Sequence, residues 1–207
     1  MLKLGILVSG GGTNLQAIID KIQSGYLAGC KIATVVSGNS SAYALERAQK
    51  QGIPGACISK KSFAVPEDYD QALLEHFRKY GVGLVVLAGF LSMLGGEFIK
   101  AYRNRIINVH PSLIPSFCGK GCFGIAPHQK ALEYGVKVTG ATVHFVDLEY
   151  DSGPIILQKS VEVLDSDTPE SLQLRVMQEA EWELLPAAIK LFSEGRLVLE
   201  GKKVRII

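Results

Sequence analysis

Lys3-Leu4-Gly5-Ile6-Leu7-Val8-Ser9-Gly10-Gly11-Gly12-Thr13-Asn14 decides how this chain is read. Residues 3–8 are an apolar run short enough for a strand buried on both faces. Three consecutive glycines follow, and Leu15, Ile18, Ile19 and Ile22 then recur at helical spacing over residues 14–22. Strand, glycine turn and helix in immediate succession open a parallel α/β sheet. Thr13 and Gln16 have the spacing of a capping box at the helix start.

Outward from this unit the alternation continues. Strands are expected over residues 31–36, 55–59, 83–88 and 106–109, and helices over residues 42–51 and 68–80, with a short one around Phe98. The fold class is therefore α/β, a Rossmann-like, mostly parallel sheet with helices on both faces. The later part changes character. Residues 115–127 form a loop rich in Gly, Cys and Phe, and a short helix follows over residues 128–134. Residues 138–146 and 154–163 suit a hairpin, and a long helix runs from Thr168 towards Phe192 with a kink expected at Pro186. Gly195 ends it, and residues 196–207 alternate like a terminal hairpin.

Length and charge limit the function. The 207 residues suit one domain, and 47% of them are apolar, ample for a core. The net charge of +2 with scattered basic residues excludes an electrostatic footprint for nucleic acid. No apolar run is long enough to span a bilayer, and the N-terminus lacks a signal-peptide pattern, so the expected location is cytoplasmic. Cys30, Cys57, Cys118 and Cys122 follow no disulfide framework. Cys118, Cys122 and His128 lack the usual zinc spacing, and no metal is expected.

In parallel sheets ligands bind beyond the carboxyl ends of the strands. Three such ends carry chemistry: the glycine loop, Gly89-Phe90, and Asn108-Val109-His110-Pro111-Ser112-Leu113. They are expected to converge on one crevice. The glycine loop lacks the Gly-Lys-Ser/Thr end of a nucleoside-triphosphate loop and the third glycine of a dinucleotide fingerprint, which favours a small phosphate monoester at the helix start. Asn108 and His110 point to one face of a strand, with Val109 turned to the core. An amide donor beside an imidazole suits a carbonyl oxygen that becomes an oxyanion. Asp151, in Tyr150-Asp151-Ser152-Gly153-Pro154, is a turn aspartate or the carboxylate that keeps His110 protonated. His144, among apolar neighbours, reads as a sheet histidine, and His128 as a loop anchor.

These motifs together resemble the glycinamide ribonucleotide transformylases, folate-dependent formyltransferases of purine biosynthesis. The likeness runs through Ser9-Gly-Gly-Gly-Thr-Asn-Leu-Gln16, Leu87-Ala-Gly-Phe90, Asn108-Val-His-Pro-Ser-Leu113, Thr139-Gly-Ala-Thr-Val-His-Phe-Val146 and Asp151-Ser-Gly-Pro-Ile-Ile-Leu-Gln158 to Glu179. It implies one formyltransferase domain over residues 1–207, with a nucleotide-binding half at 1–107 and a catalytic and folate-binding half at 108–207. It implies transfer of formyl from the co-substrate 10-formyltetrahydrofolate to the glycyl amine of glycinamide ribonucleotide, by a monomer or homodimer. By matching, Gly12, Thr13 and Asn14 hold the substrate phosphate and Glu179 its polar part. Leu91, Ser92, Met93, Leu94, Asn108 and Asp147 serve the folate, and Asn108, His110 and Asp151 are the catalytic three. The chain departs from the family at Ser92 and Pro66, where arginines are common towards the folate glutamate, and Lys60 or Lys61 is expected to compensate. Alternatives are another 10-formyltetrahydrofolate-using hydrolase or formyltransferase, and a non-catalytic nucleotide-binding module.

Overall fold

The opening run forms β1 (Leu2–Val8), and its inner residues Leu4, Ile6, Leu7 and Val8 have no exposed surface in the computed structural model, which describes residues 1–207. Such two-sided burial is what a parallel strand under helices requires. The first helix is α1 (Thr13–Gln23), followed by β2 (Cys30–Ser37), α2 (Tyr43–Lys50), β3 (Gly55–Cys57), α3 (Pro66–Tyr80), β4 (Leu84–Leu87), α4 (Gly96–Ala101) and β5 (Ile106–His110). Next come α5 (Ala126–Tyr134), the strands β6 (Val138–Phe145) and β7 (Ile155–Glu162), helices α6 (Pro169–Val176) and α7 (Trp182–Ser193), and the strands β8 (Leu197–Glu200) and β9 (Lys203–Ile206). The chain divides into two compact units, Met1–Ile107 and Asn108–Ile207.

In the first unit the strand order is β3-β2-β1-β4, with every pairing parallel. Phe77 of α3, Phe98 of α4 and Tyr102 just past the end of α4 form an aromatic cluster, with Phe77 and Phe98 ring centroids 5.7 Å apart. Pro66 begins α3 and Gly81, at φ 66°, ends it. The buried Asp70 carboxylate accepts the N–H groups of Gly95 (3.0 Å) and Phe98 (3.2 Å), so a side chain of α3 caps α4. A Cβ on Gly95 would stand 2.1 Å from Asp70 Oδ2, which leaves room for glycine only.

The expected capping box at α1 does not form. Gly12 is the N-cap, in the left-handed region at φ 71°, and no side chain caps the helix. Gln16 turns sideways instead, accepting from Arg47 Nη1 and donating to Asp20. The left-handed turn aims the backbone, and only glycine adopts it without strain.

From β5, whose residues from Asn108 onward open the second unit, the order is β5-β6-β7-β9-β8. β6 and β7 form the expected antiparallel hairpin, with a register shift at Val143/His144, and β8 and β9 form the terminal one. The long helix differs from expectation. It passes through Pro186 as α7, and its irregularity is a π-turn at Met177–Glu181. Proline at 186 withholds the N–H that would bond the carbonyl four residues back, at Trp182. That residue is where the π-turn hands over to α7, so the break lies upstream of the proline. At its start Thr168 and Ser171 form a reciprocal capping box. No helix is long and apolar enough to cross a membrane.

Candidate active site

β5 ends in Asn108-Val109-His110, and the strand period separates the three side chains as expected. Val109 is buried in the core, and the two polar groups share the other face. His110 is only 4% exposed. Its Nε2 donates to the Phe117 carbonyl at 3.1 Å, and its Nδ1 lies 3.6 Å from Asp151 Oδ2. Asp151 reaches His110 because the turn after β6 is drawn tight. Phe145 N–H donates to the Pro154 carbonyl, and a Cβ on Gly153 would stand 1.8 Å from the Phe145 oxygen. Asp151 itself sits at φ 50°, a left-handed conformation that costs an aspartate about 1 kcal/mol and that the surrounding turn must impose.

A third histidine completes the cluster. His144 Nε2 stands 3.2 Å from Asn108 Nδ2 and 3.6 Å from Asp151 Oδ1, while its Nδ1 faces the Phe145 carbonyl at 2.8 Å. A ring nitrogen facing a carbonyl carries the hydrogen, so Nδ1 donates and Nε2 accepts from the Asn108 amide. One Asn108 amide hydrogen is thereby used to orient the group, and the second is left for a ligand oxygen. The reading of His144 as an ordinary sheet histidine is thus corrected. The signal was the polar pair Thr142-Val143-His144, whose i, i+2 spacing repeats that of Asn108 and His110 on the next strand.

The loop after His110 is fastened at several points. Buried Thr142 donates to the Ser112 carbonyl (2.7 Å) and accepts the Ile114 N–H (3.1 Å), and Gln158 Nε2 donates to the Ile114 carbonyl (3.0 Å). Farther along, the Gly119 N–H donates to Asp151 Oδ2 at 2.8 Å. Cys118 donates its S–H to the Pro115 carbonyl, and Cys122 Sγ lies 2.9 Å from Lys130 Nζ. No group of three His, Cys, Asp or Glu side chains is arranged to hold a metal ion.

Electrostatics correct one expectation. Burial lowers the His110 pKa, and neither Asp151 nor the Phe117 carbonyl offsets it, while His144 adds to the lowering. With its pKa below the ordinary 6.5, the imidazole is mainly neutral at pH 7, not the imidazolium expected from a neighbouring carboxylate. Burial also pushes the Asp151 carboxyl up, but His144, His110 and the Gly119 N–H prevail and hold it below its ordinary value.

The other expected residues are placed as follows. Asp147 Oδ1 accepts from Ser152 Oγ (2.7 Å) and the Glu149 N–H (3.1 Å), so its carboxylate shapes the loop 147–152. Glu179 is on the π-turn with its side chain exposed, and π-turns concentrate at functional sites. In the first unit, the Gly10 carbonyl accepts the Ala44 N–H and the Gly11 carbonyl accepts Arg47 Nε, ahead of Gly12, Thr13 and buried Asn14 at the start of α1. The segment 91–94 is tied by Leu91 N–H to Ser9 Oγ (2.9 Å) and by Lys60 Nζ to the Met93 carbonyl (3.1 Å). Leu91 and Met93 expose their side chains, Ser92 is half-buried and Leu94 is buried.

Comparison with known proteins places this architecture. Residues 2–189 match the formyl transferase family model. The phosphoribosylglycinamide formyltransferase of Haemophilus influenzae is 40% identical over 97% of this chain and 91% of its own. The crystal structure of glycinamide ribonucleotide transformylase 1 from Symbiobacterium toebii superposes with a TM-score of 0.94 at 45% identity, covering 100% of this chain and 94% of that one. A formyltetrahydrofolate deformylase from Pseudomonas syringae shares the fold at TM-score 0.87, with 25% identity over 100% of this chain and 66% of its own. The nearly complete matches at 40–45% identity, against 25% for the deformylase, show that this chain belongs to the phosphoribosylglycinamide formyltransferase family.

Proposed function

We propose that this protein moves the formyl group of 10-formyltetrahydrofolate to the glycyl amine of glycinamide ribonucleotide, with Asn108, His110 and Asp151 as the catalytic residues. The observation that carries the assignment is the junction of Asn108, His110, Asp151 and His144 at the end of β5. The glycyl amine attacks the formyl carbon, and the carbonyl oxygen becomes an oxyanion. The free Asn108 amide hydrogen donates to that oxygen. His110 starts neutral, but an oxyanion beside the ring adds a second anion to Asp151, and together they favour the imidazolium. His110 thus takes up a proton from solvent as the tetrahedral intermediate forms, exchanges the Phe117 carbonyl for the oxyanion at its Nε2–H to donate a charge-assisted bond, and returns the proton when the oxyanion collapses to the new formamide. Asp151, directly or through a water, passes the amine proton to the departing folate nitrogen.

In the same reading Gly12, Thr13 and Asn14 take the substrate phosphate at the α1 N-terminus, where unpaired N–H groups and the helix dipole favour an anion. Glu179 meets the polar part of that substrate. The folate is served by residues 91–94 and by Asp147 and its loop, and Lys60, already bonded to the Met93 carbonyl, stands in for the cation absent at Ser92. Residues 1–207 act as one formyltransferase domain, in the cytoplasm, with no metal and no nucleic-acid partner.

Release of deformylated folate from 10-formyltetrahydrofolate, measured with and without glycinamide ribonucleotide, tests the assignment. Release that requires the ribonucleotide supports it, and release without it makes the protein a hydrolase. Gly11→Glu tests the phosphate site. A Cβ there meets nothing within 4 Å, so the variant should fold. Its carboxylate should raise KM for the ribonucleotide on the order of tenfold by repulsion, and an unchanged KM removes the phosphate from this loop.

Asp151→Asn tests the pair. Ionised Asp151 raises the His110 pKa, so its loss lowers that pKa further. The acid limb of the kcat/KM profile should therefore move to lower pH, along with a fall in kcat. A limb that stays in place separates Asp151 from His110.

A further inference from the structure

Arg47, on α2, joins the glycine loop to the first helix. Its Nε donates to the Gly11 carbonyl at 2.8 Å, and its Nη1 donates to Gln16 Oε1 at 3.0 Å. The guanidinium lies over the Tyr43 ring, 4.9 Å from the centroid. Lys50 holds that ring from the next turn, with Nζ 5.1 Å from the centroid and 3.3 Å from the hydroxyl. Beside it, the Ala44 N–H donates to the Gly10 carbonyl at 3.1 Å. Gly12 packs so closely on α2 that a Cβ there would stand 2.7 Å from Ala44 Cβ.

These contacts set two peptide planes. In a trans peptide the C=O and the following N–H point in opposite directions. Drawing the Gly10 and Gly11 carbonyls towards α2 therefore turns the Gly11 and Gly12 N–H groups away from it. Without the tether, glycines at these positions are free to rotate their peptide planes, and an anion must then supply the ordering itself. A guanidinium is suited to this task because its planar fork bonds two acceptors at fixed angles, which an ammonium does not.

We propose that Arg47 is a positioning residue for the phosphate of the ribonucleotide: its fork fixes the Gly11–Gly12 peptide plane, next to the Gly10–Gly11 plane that the Ala44 N–H holds, so that the loop N–H groups face the anion before it arrives. The proposal rests on the reading of this loop as the phosphate site. It identifies a substrate-affinity determinant on α2 that need not touch the substrate. Because Arg47 acts through backbone geometry, its charge alone does not replace it.

The test compares Arg47→Lys and Arg47→Met in steady-state kinetics. Both should raise KM for glycinamide ribonucleotide on the order of tenfold, the loss of a charge-assisted tether. Saturated kcat and KM for 10-formyltetrahydrofolate should stay within about twofold of wild type. Arg47→Lys decides between geometry and charge: a wild-type KM in that variant overturns the proposal. A matching rise in KM for the folate also overturns it, since a general loosening of the fold moves both substrates. Gly11→Glu separates this failure from failure of the underlying reading. If Gly11→Glu leaves KM for the ribonucleotide unchanged, the loop holds no phosphate and the proposal falls with it. If Gly11→Glu raises that KM and the Arg47 variants do not, the loop keeps its role and only the clamp is lost.

Discussion

Asn108→Ala is expected to lower kcat by a factor on the order of 10²–10³, with KM for both substrates nearly unchanged. The proposed amide bond exists only once the carbonyl oxygen carries charge, so its loss appears in turnover and not in ground-state binding. The structure explains why this amide is well placed. His144 Nε2 takes one hydrogen at 3.2 Å and fixes the plane of the group, while His144 is itself fixed by the Phe145 carbonyl at 2.8 Å. Truncation removes both the donor and this orientation. His144→Ala leaves the amide in place but lets it rotate, and should cost turnover by about tenfold only. If Asn108→Ala turns over like wild type, the oxyanion role belongs elsewhere. If His144→Ala is the more damaging of the two, His144 takes part in the chemistry directly.

Acidification from pH 7 to pH 4 is expected to remove about 3 kcal/mol of folding stability through His128 alone. His128, in α5, has no exposed surface, and neither ring nitrogen has a hydrogen-bond partner. Burial, with a smaller push from His110, lowers its pKa to about 4. In the unfolded chain the same ring titrates near its ordinary value of 6.5. The unfolded state therefore binds the proton first as pH falls. The contribution is whole above pH 6.5, is lost between 6.5 and 4, and changes no further below that. The lowered His110 acts in the same direction, whereas the lowered Asp151 carboxyl loses its contribution only below its ordinary value of 3.8. Denaturant unfolding of wild type and His128→Leu at pH 7 and pH 4.5 separates these terms. The variant should lose much less stability between the two pH values. An equal loss in both proteins assigns the acid sensitivity to other groups.

Much of this molecule is legible one segment at a time. The glycine loop after β1, the i, i+2 pairing of Asn108 with His110 and the hairpin over β6 and β7 follow from local periodicity. Each depends on chain geometry within a few residues. Misreadings arose where a partner from elsewhere in the chain intervenes. Gln16 leaves its expected cap because Arg47, on a different helix, takes its side chain. The break in the last helix lies at Met177–Glu181, upstream of the proline that signals it. His144 has apolar sequence neighbours on the opposite face of its strand, and its polar partners come from β5 and from the turn at Asp151.

The amino-acid sequence by itself determined the α/β class, the order of elements and the residue types available for chemistry, because strand and helix periods and glycine turns are local properties. Only the tertiary structure decided the state of those residues. His110 is neutral because desolvation in this packed interior outweighs its carboxylate neighbour, and sequence distance carries no measure of desolvation. Asn108 keeps one amide hydrogen for a ligand because His144 takes the other, an allocation that exists only when two strands lie side by side. The direction of the glycine-loop amides is likewise set from α2, through Arg47 and Ala44, and not from within the loop.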